Sequence, residues 1–569
     1  MAFNIPLSKN LYCYKTCITK VSRQLSSKTM DSQKLQAKNV IYSQWNLLNY
    51  LKSYLSKISN DKTVENALNN EFAHFLQKFQ PTIYGPTDFW KYFNSLSPSL
   101  FKELQLFNKK ENSLKRIEET RDNVKIQKVA KWKEKEIIIS EESVASRTQQ
   151  ILALLLNARS QESILNRIED LNNHLNKYPQ AKHIAVKNHA ICLLLKIKQR
   201  TIDHEITSAV NEALALLGYA SPVPGKGVRI LSIDGGGVRG ILVIEMLKKI
   251  EEITGKRIYE MFDLICGVST GAIIATLIGE KRSTLDEISE IYKNLSTQIF
   301  TQSAIKGTSS LVWSHSYYNT ALWEKLLQEQ IGDKVLIKTS RKSQCPKMCI
   351  LSAVVNQSRL SAYVFRNYSL PCRVQSQYTG SYSHSIWEAV RASAAAPTYF
   401  EEFKLGNMLH QDGGILFNNP AAVAIHEARL LWPETPIQCV LSFGTGRTVP
   451  LPVDPNSKTA IMSSSWKKKF YAIIESATDT EGVHTMLSDL LPEKIYYRFN
   501  PYLTEMLDIA EINSKKLEQL KRDAVMYLRR NEDKFQEAAK VLIEEKSFMQ
   551  KISDWLNLQR QIYGLKMLV

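Results

Sequence analysis

Residues 230–245 read ILSIDGGGVRGILVIE, and the fold of the chain turns on how this stretch is understood. An apolar, strand-like run leads in, and a run with helical spacing leads out. Between them, GGGVRG fits G-x-G-x-x-G. A glycine loop feeding a helix N-terminus is an anion site, because its backbone N–H groups stand unencumbered and the helix dipole favours negative charge. Two anions compete for it: the pyrophosphate of a dinucleotide and the oxyanion of acyl transfer.

The dinucleotide reading requires an acid at the end of the next strand, roughly 20 residues on. YEMFDLIC (259–266) reads as that strand. Glu260 and Asp263 lie inside it, and GVSTG (267–271) stands at its end. GVSTG fits G-x-S-x-G at a strand-to-helix junction, the setting of a nucleophile elbow. Gly267 and Gly271 relieve the crowding of the sharp turn, Ser269 is lifted out at the C-terminal edge of a sheet, and a helix begins near Ala272 with its dipole toward the chemistry. With Ser269 as nucleophile, Gly235, Gly236, Gly237, Val238 and Arg239 become the candidate oxyanion hole. The rival reading is a nucleotide-binding regulatory protein that uses GGGVRG as a phosphate loop, since both functions draw on the same N–H groups.

A serine nucleophile needs a base. None of the ten histidines sits in a recognisable signature, His410 in LHQDGG being the nearest to one. Asp412, two residues on, reads as an acid at a tight, exposed glycine turn. Two roles stay open for it: taking the serine proton, or forming an Asx-turn or cap for the helix of the 420s. Spacing alone favours the second.

Around these motifs the chain divides by pattern. Its 569 residues, 44% of them hydrophobic, suffice for a large core and more than one domain. Residues 1–40 read as a basic targeting-like or disordered tail, and 41–142 as a helical, charged region. Residues 143–222 carry successive amphipathic helices with apolar positions at i, i+3, i+4 and i+7. SPVPGKG (221–227) breaks that pattern. From 223 to 450, strands and helices alternate, which predicts an α/β domain with a largely parallel sheet. Residues 451–569 read as a C-terminal helical extension. His174, His183, His189 and His204 fall on the early helices with no ligand spacing. The eight cysteines form neither a zinc pattern nor a disulfide framework, and a reducing compartment is expected. No acidic metal-binding loop is read either, and no metal or other cofactor is expected.

D-G-G-G-x-R-G (234–240), G-x-S-x-G (267–271) and D-G-G (412–414), in that order, resemble the patatin-like phospholipases. Through motifs the resemblance covers 229–420. With RTQQILALL, FRNYSLP, RASAAAPTYF and SATDTEGVHTML it extends over about 143–560, toward a calcium-independent branch of that family. It implies a three-layer α/β/α hydrolase domain over 223–450, preceded by an α-helical region. It also implies a Ser–Asp dyad of Ser269 and Asp412, an oxyanion loop at 235–239, and hydrolysis of glycerophospholipid esters. The partner it implies is a phospholipid membrane surface, met peripherally, and no nucleic acid. Intracellular membranes, mitochondrial or of the endoplasmic reticulum, are the implied address.

Charge agrees with an anionic surface. The net charge of +18 is concentrated in residues 1–200, which hold 32 Lys and Arg against 17 Asp and Glu. Residues 1–30 carry Lys9, Lys15, Lys20, Arg23 and Lys28 and no acid. They read either as a mitochondrial presequence or as a plain basic tail. No apolar run is long enough to span a bilayer. The chain ends in Met-Leu-Val, so no peroxisomal import by S-K-L is expected.

Overall fold

The structure, a computed structural model, describes residues 140–301, 318–447, 480–505 and 507–563. The expectations for residues 1–139, including the basic tail, lie outside the described residues, as does the part of the C-terminal extension over 451–479.

Five helices come first: α1 (Glu141–Asn157), α2 (Gln161–Lys177), α3 (Ala181–Lys187), α4 (Ala190–Arg200) and α5 (His204–Leu216). Their starts are set by residues that accept orphan N–H groups. Ser140 Oγ accepts from Ser143 N–H, and Ser160 Oγ from Ser163 N–H. Asp203 Oδ1 accepts from Glu205 N–H at 2.7 Å. Their apolar stripes meet in one cluster around Ile168, Leu171, Leu194 and Ile206.

The sheet that follows has strands β1 (Val228–Ile233), β2 (Leu264–Val268), β3 (Lys347–Val354), β4 (Ser361–Arg366), β5 (Thr379–Ser381), β6 (Phe403–Leu405), β7 (Met408–Asp412), β8 (Ile437–Phe443) and β9 (Tyr496–Phe499). Their order is β5-β4-β3-β2-β1-β8-β9, with β7 paired to the end of β3 and β6 to β7. It is more mixed than expected. The pairings within β3-β2-β1-β8-β9 and between β4 and β5 are parallel, whereas β3–β4, β3–β7 and β6–β7 are antiparallel.

Both faces of the sheet are covered, because successive side chains of a strand point to opposite sides. Leu231, Ile265 and Leu441 enter one core, with α6 (Gly240–Thr254), α7 (Thr270–Thr276), α8 (Leu285–Thr301), α9 (Thr320–Ile331) and α10 (Ile386–Ser393). Ile230, Leu264 and Val440 enter the other, under α11 (Ala421–Leu431). The result is a three-layer α/β/α arrangement behind an α-helical region. Within α6, Leu242, Val243, Met246 and Leu247 are fully buried, so a Leu247→Ala cavity would cost about 2–5 kcal/mol.

Two further differences from the sequence reading have local causes. YEMF is not strand: Ile258–Met261 forms a helical turn, held by Glu260 accepting from Arg257 N–H. Asp263 then pins Arg229 through two side-chain hydrogen bonds before β2 begins. The C-terminal portion also joins the main body. After α12 (Thr480–Leu490), β9 extends the sheet, and α13 (Ser514–Arg530) and α14 (Glu532–Leu542) bury Leu520, Phe535 and Leu542 in the first core. A last helix, α15 (Phe548–Tyr563), packs Ile562 against the N-terminal helices. Among the described residues no helix is long and apolar enough to cross a membrane.

Candidate active site

The glycine loop leaves β1 at Asp234, which is buried and paired with Arg498 of β9. Arg498 Nη1 donates to Asp234 Oδ1 at 2.9 Å and Nη2 to Oδ2 at 2.6 Å. Carbonyls of the loop are held from three sides. Thr445 Oγ1 donates to Gly235 O at 2.7 Å, and Arg239 Nε to Gly236 O at 3.2 Å. Thr270 Oγ1 donates to Gly237 O at 2.8 Å, and the buried Tyr292 hydroxyl donates to the same oxygen. Gly237 has φ +56, and a Cβ there would meet Ile509 O at 2.3 Å, so only glycine fits.

The N–H groups of the loop are not equivalent. Gly235 N–H donates to Asn418 O, Val238 N–H to Ile509 O at 3.0 Å, and Arg239 N–H to Gly236 O at 3.2 Å. Among the described residues, those of Gly236 and Gly237 have no acceptor. Of the five residues read as an oxyanion loop, these two present open donors.

Ser269 stands between β2 and α7 at φ 54 and ψ −119, a backbone conformation costly for a residue with a Cβ. The turn is tight. A Cβ on Gly267 would lie 2.3 Å from Gly271 O, and one on Gly271 would lie 2.3 Å from Ile233 O. The Ser269 N–H donates to Ser393 Oγ at 2.9 Å, and that hydroxyl donates to Leu351 O at 2.6 Å. Ser393, the last residue of α10, thus braces the elbow against β3.

Strand register carries the acid to the serine. Val268 pairs with Leu351, and Ser352 pairs with Asp412, so the ends of β2, β3 and β7 meet. Ser269 Oγ donates to Asp412 Oδ2 at 2.6 Å, while Gly414 N–H donates to Asp412 Oδ1 at 2.7 Å. Asp412 is not at an exposed turn. It closes a paired strand and is 6% exposed, with its N–H bonded to Ala395 O. Burial raises its pKa to about 6, against the lowering effect of the Ser269 hydroxyl and the Gly414 N–H. It also makes the Asx-type bond that the alternative reading foresaw. His410 lies apart from this pair: its Nδ1 bonds to Ser352 Oγ at 2.8 Å, and burial, then His384, lowers its pKa to about 4.

An apolar pocket of about 70 Å³ opens at Ser269, walled by Ile273, Leu295, Ile299, Trp323 and Phe400. Ser393, Tyr292 and Arg498 are neighbours of the candidate site that the motifs do not single out, and Thr270 lies inside GVSTG without its contact to Gly237 being legible there. RASAAAPTYF holds the first of them, but a lone serine inside a helix end carries no spacing signal. No acid stands at the end of β2 to hold a ribose, which disfavours the phosphate-loop reading. Among the described residues no group of three or more His, Cys, Asp or Glu is placed to hold a metal ion.

Residues 231–425 match the family model for patatin-like phospholipase, a span that holds all three motifs. The chain is 43% identical over 431 residues to the calcium-independent phospholipase A2-gamma of Rattus norvegicus, covering 76% of this chain and 55% of that protein. It is 42% identical to the protein of the same name from Homo sapiens, over 76% and 54% respectively. Phospholipase A I of Arabidopsis thaliana is 33% identical over 60% of this chain and 31% of its own length. The chain therefore spans about half the length of the animal relatives it matches.

Proposed function

The chain carries a patatin-like phospholipase domain, and from that premise we propose that it hydrolyses fatty-acyl esters of glycerophospholipids through a dyad of Ser269 and Asp412. The observation that carries the reading is the 2.6 Å hydrogen bond from Ser269 Oγ to Asp412 Oδ2, made at a positive-φ elbow. Ser269 Oγ attacks the ester carbonyl carbon and passes its proton to Asp412. The oxyanion is received by the open N–H groups of Gly236 and Gly237. Collapse expels the lysophospholipid alkoxide, which takes the proton from Asp412. Water then attacks the acyl-enzyme as Asp412 removes its proton, and the fatty acid leaves as Ser269 regains a proton. A carboxyl at about 6 is ionised at neutral pH, yet more basic than an exposed aspartate. The apolar pocket at Ser269 suits the start of an acyl chain.

The enzyme works at a membrane surface in this reading, bound peripherally through the basic residues concentrated in 1–200, with the mitochondrion as its address. A fusion of residues 1–30 to a fluorescent protein tests the address, and a diffuse signal rejects it. The chemistry is tested by a fluorophosphonate probe and by product analysis on mixed vesicles. Wild-type protein is expected to be labelled and to release fatty acid with lysophospholipid, and Ser269→Ala to do neither. An unlabelled wild-type serine would return the glycine loop to the nucleotide reading.

A further inference from the structure

A second cavity, of about 480 Å³, lies beyond the C-terminal ends of β8 and β9 and shares no lining residue with the pocket at Ser269. Its charged lining is Arg447, Arg498, Arg530 and Lys534 against Glu481 and Asp523. The carboxylates are already engaged. Glu481 accepts from Arg447 Nη1 at 2.6 Å and from Asn500 Nδ2 at 2.8 Å. Asp523 accepts from the Thr504 N–H at 2.9 Å, the Thr504 hydroxyl at 2.6 Å and Gln519 Nε2 at 3.0 Å. Arg498 is neutralised by Asp234. Among the described residues, Arg530 and Lys534 then have no carboxylate partner, and the Lys534 ammonium donates to the Arg498 carbonyl at 2.6 Å.

Two more observations bear on what the cavity could hold. The Nε atoms of Arg447 and of Arg498, the latter residue 4% exposed, are buried with no acceptor among the described residues. Burial, then the cations of Arg447 and Arg498, holds the Lys534 pKa below its usual value against the raising effect of Glu481, and burial lowers His484, where Glu481 opposes the cations of Arg498, Lys534 and Arg447. With Asp234 counted, four cations meet three carboxylates, so the cavity keeps a single excess positive charge together with the unspent Nε donors. It sits at the edge of the sheet where open α/β folds hold their ligands.

We propose that this cavity is a second anion site, distinct from the glycine loop, that takes a phosphate or diphosphate group. Guanidinium forks and an ammonium match a dianion with several acceptor oxygens better than they match a carboxylate. The site does not depend on the hydrolase reading, because binding is measured directly. The phosphate has two possible sources, an anionic lipid headgroup or a free phosphate compound, and the test separates them.

Binding of inorganic pyrophosphate to the full chain is measured by calorimetry at low salt. Cosedimentation is measured with phosphatidylcholine vesicles, with and without phosphatidic acid. Lys534→Gln and Arg530→Gln are expected to weaken phosphate binding about tenfold or more, and Lys534→Arg to retain it. If the source is free, the neutral variants lose pyrophosphate and leave the gain from phosphatidic acid unchanged. If it is lipid, they lose that gain while pyrophosphate binds only weakly to wild type. Arg530 is exposed in the last turn of α13, so its variant folds even if loss of Lys534 disturbs the packing. Variants equal to wild type in both assays would overturn the proposal and leave a solvated polar groove.

Discussion

Replacing Asp412 by Asn is expected to harm the reaction and help the fold, in amounts that depend on pH in opposite ways. The substitution keeps the size of the side chain. Its amide oxygen still accepts from Gly414 N–H, and its amide nitrogen donates to Ser269 Oγ where the carboxylate accepted. What it loses is a proton acceptor, so turnover of a soluble ester is expected to fall ~100–10,000-fold. The stability effect follows from burial. The Asp412 carboxyl is raised from its usual 3.8 to about 6. A raised carboxyl pKa means that the protonated form is favoured in the folded chain. Its stabilising contribution is complete below about 4 and is lost as pH rises through about 6. Above that pH the ionised side chain costs roughly 3 kcal/mol at most relative to an unfolded chain. Asn carries no such cost. Denaturant unfolding of both proteins should therefore coincide near pH 4, with the variant becoming the more stable by about 1–3 kcal/mol near pH 7.5. In parallel, wild-type kcat/KM should climb through an apparent pKa near 6 to a plateau. A rate loss below tenfold, or a stability gap that stays flat between pH 4 and 7.5, refutes the reasoning.

Ser269→Gly removes both the nucleophile and the cost of φ 54, so it should abolish labelling and unfold about 1 kcal/mol later than Ser269→Ala; equal stability would mean that the elbow stores no strain. Ser393→Ala deletes the acceptor of the Ser269 N–H and should slow fluorophosphonate labelling about tenfold without moving the pH profile, whereas a shifted profile would assign Ser393 to Asp412 instead. Activity should survive excess chelator, since every group in the derived mechanism belongs to the chain; rescue of a chelated enzyme by calcium would contradict this. Removal of residues 1–139 should lower binding to anionic vesicles and flatten its salt dependence while soluble-ester hydrolysis persists.

VRILSI and IQCVLSF announce themselves as strands because buried strands read as short apolar runs bounded by breakers. Tyr259–Met261 carries the same signal but lies in a helical turn, with Phe262 extended after it, since a short apolar-rich run suits either element. The antiparallel β3–β4 pair had a clue in the six residues between Val354 and Ser361, too few for a crossover. Ser269 and the glycine loop stand in motifs because tight backbone geometry demands glycine, and glycine spacing is visible in one dimension. Asp412 stands in one too, but the DGG suggests a surface turn, and only the pairing of β7 with β3 buries it. Ser393, Tyr292 and Arg498 act through contacts across long stretches of chain, and serine, tyrosine and arginine are common residues whose placement no local pattern reports.

The pairing of Asp234 with Arg498 spans 264 residues, and Val238 is tied to Ile509 beyond it. During synthesis the glycine loop therefore leaves the ribosome long before the arginine that anchors it. At about 5–20 residues per second that interval is roughly fifteen seconds to a minute. Ser269 is made early in that interval and Asp412 about two-thirds of the way through it, and until Arg498 follows neither has an anchored loop beside it. A chain cut short before β9 would share that condition permanently. On the proposed mechanism, ester hydrolysis would arrive only with the final strand, and unfinished or truncated products would be inactive.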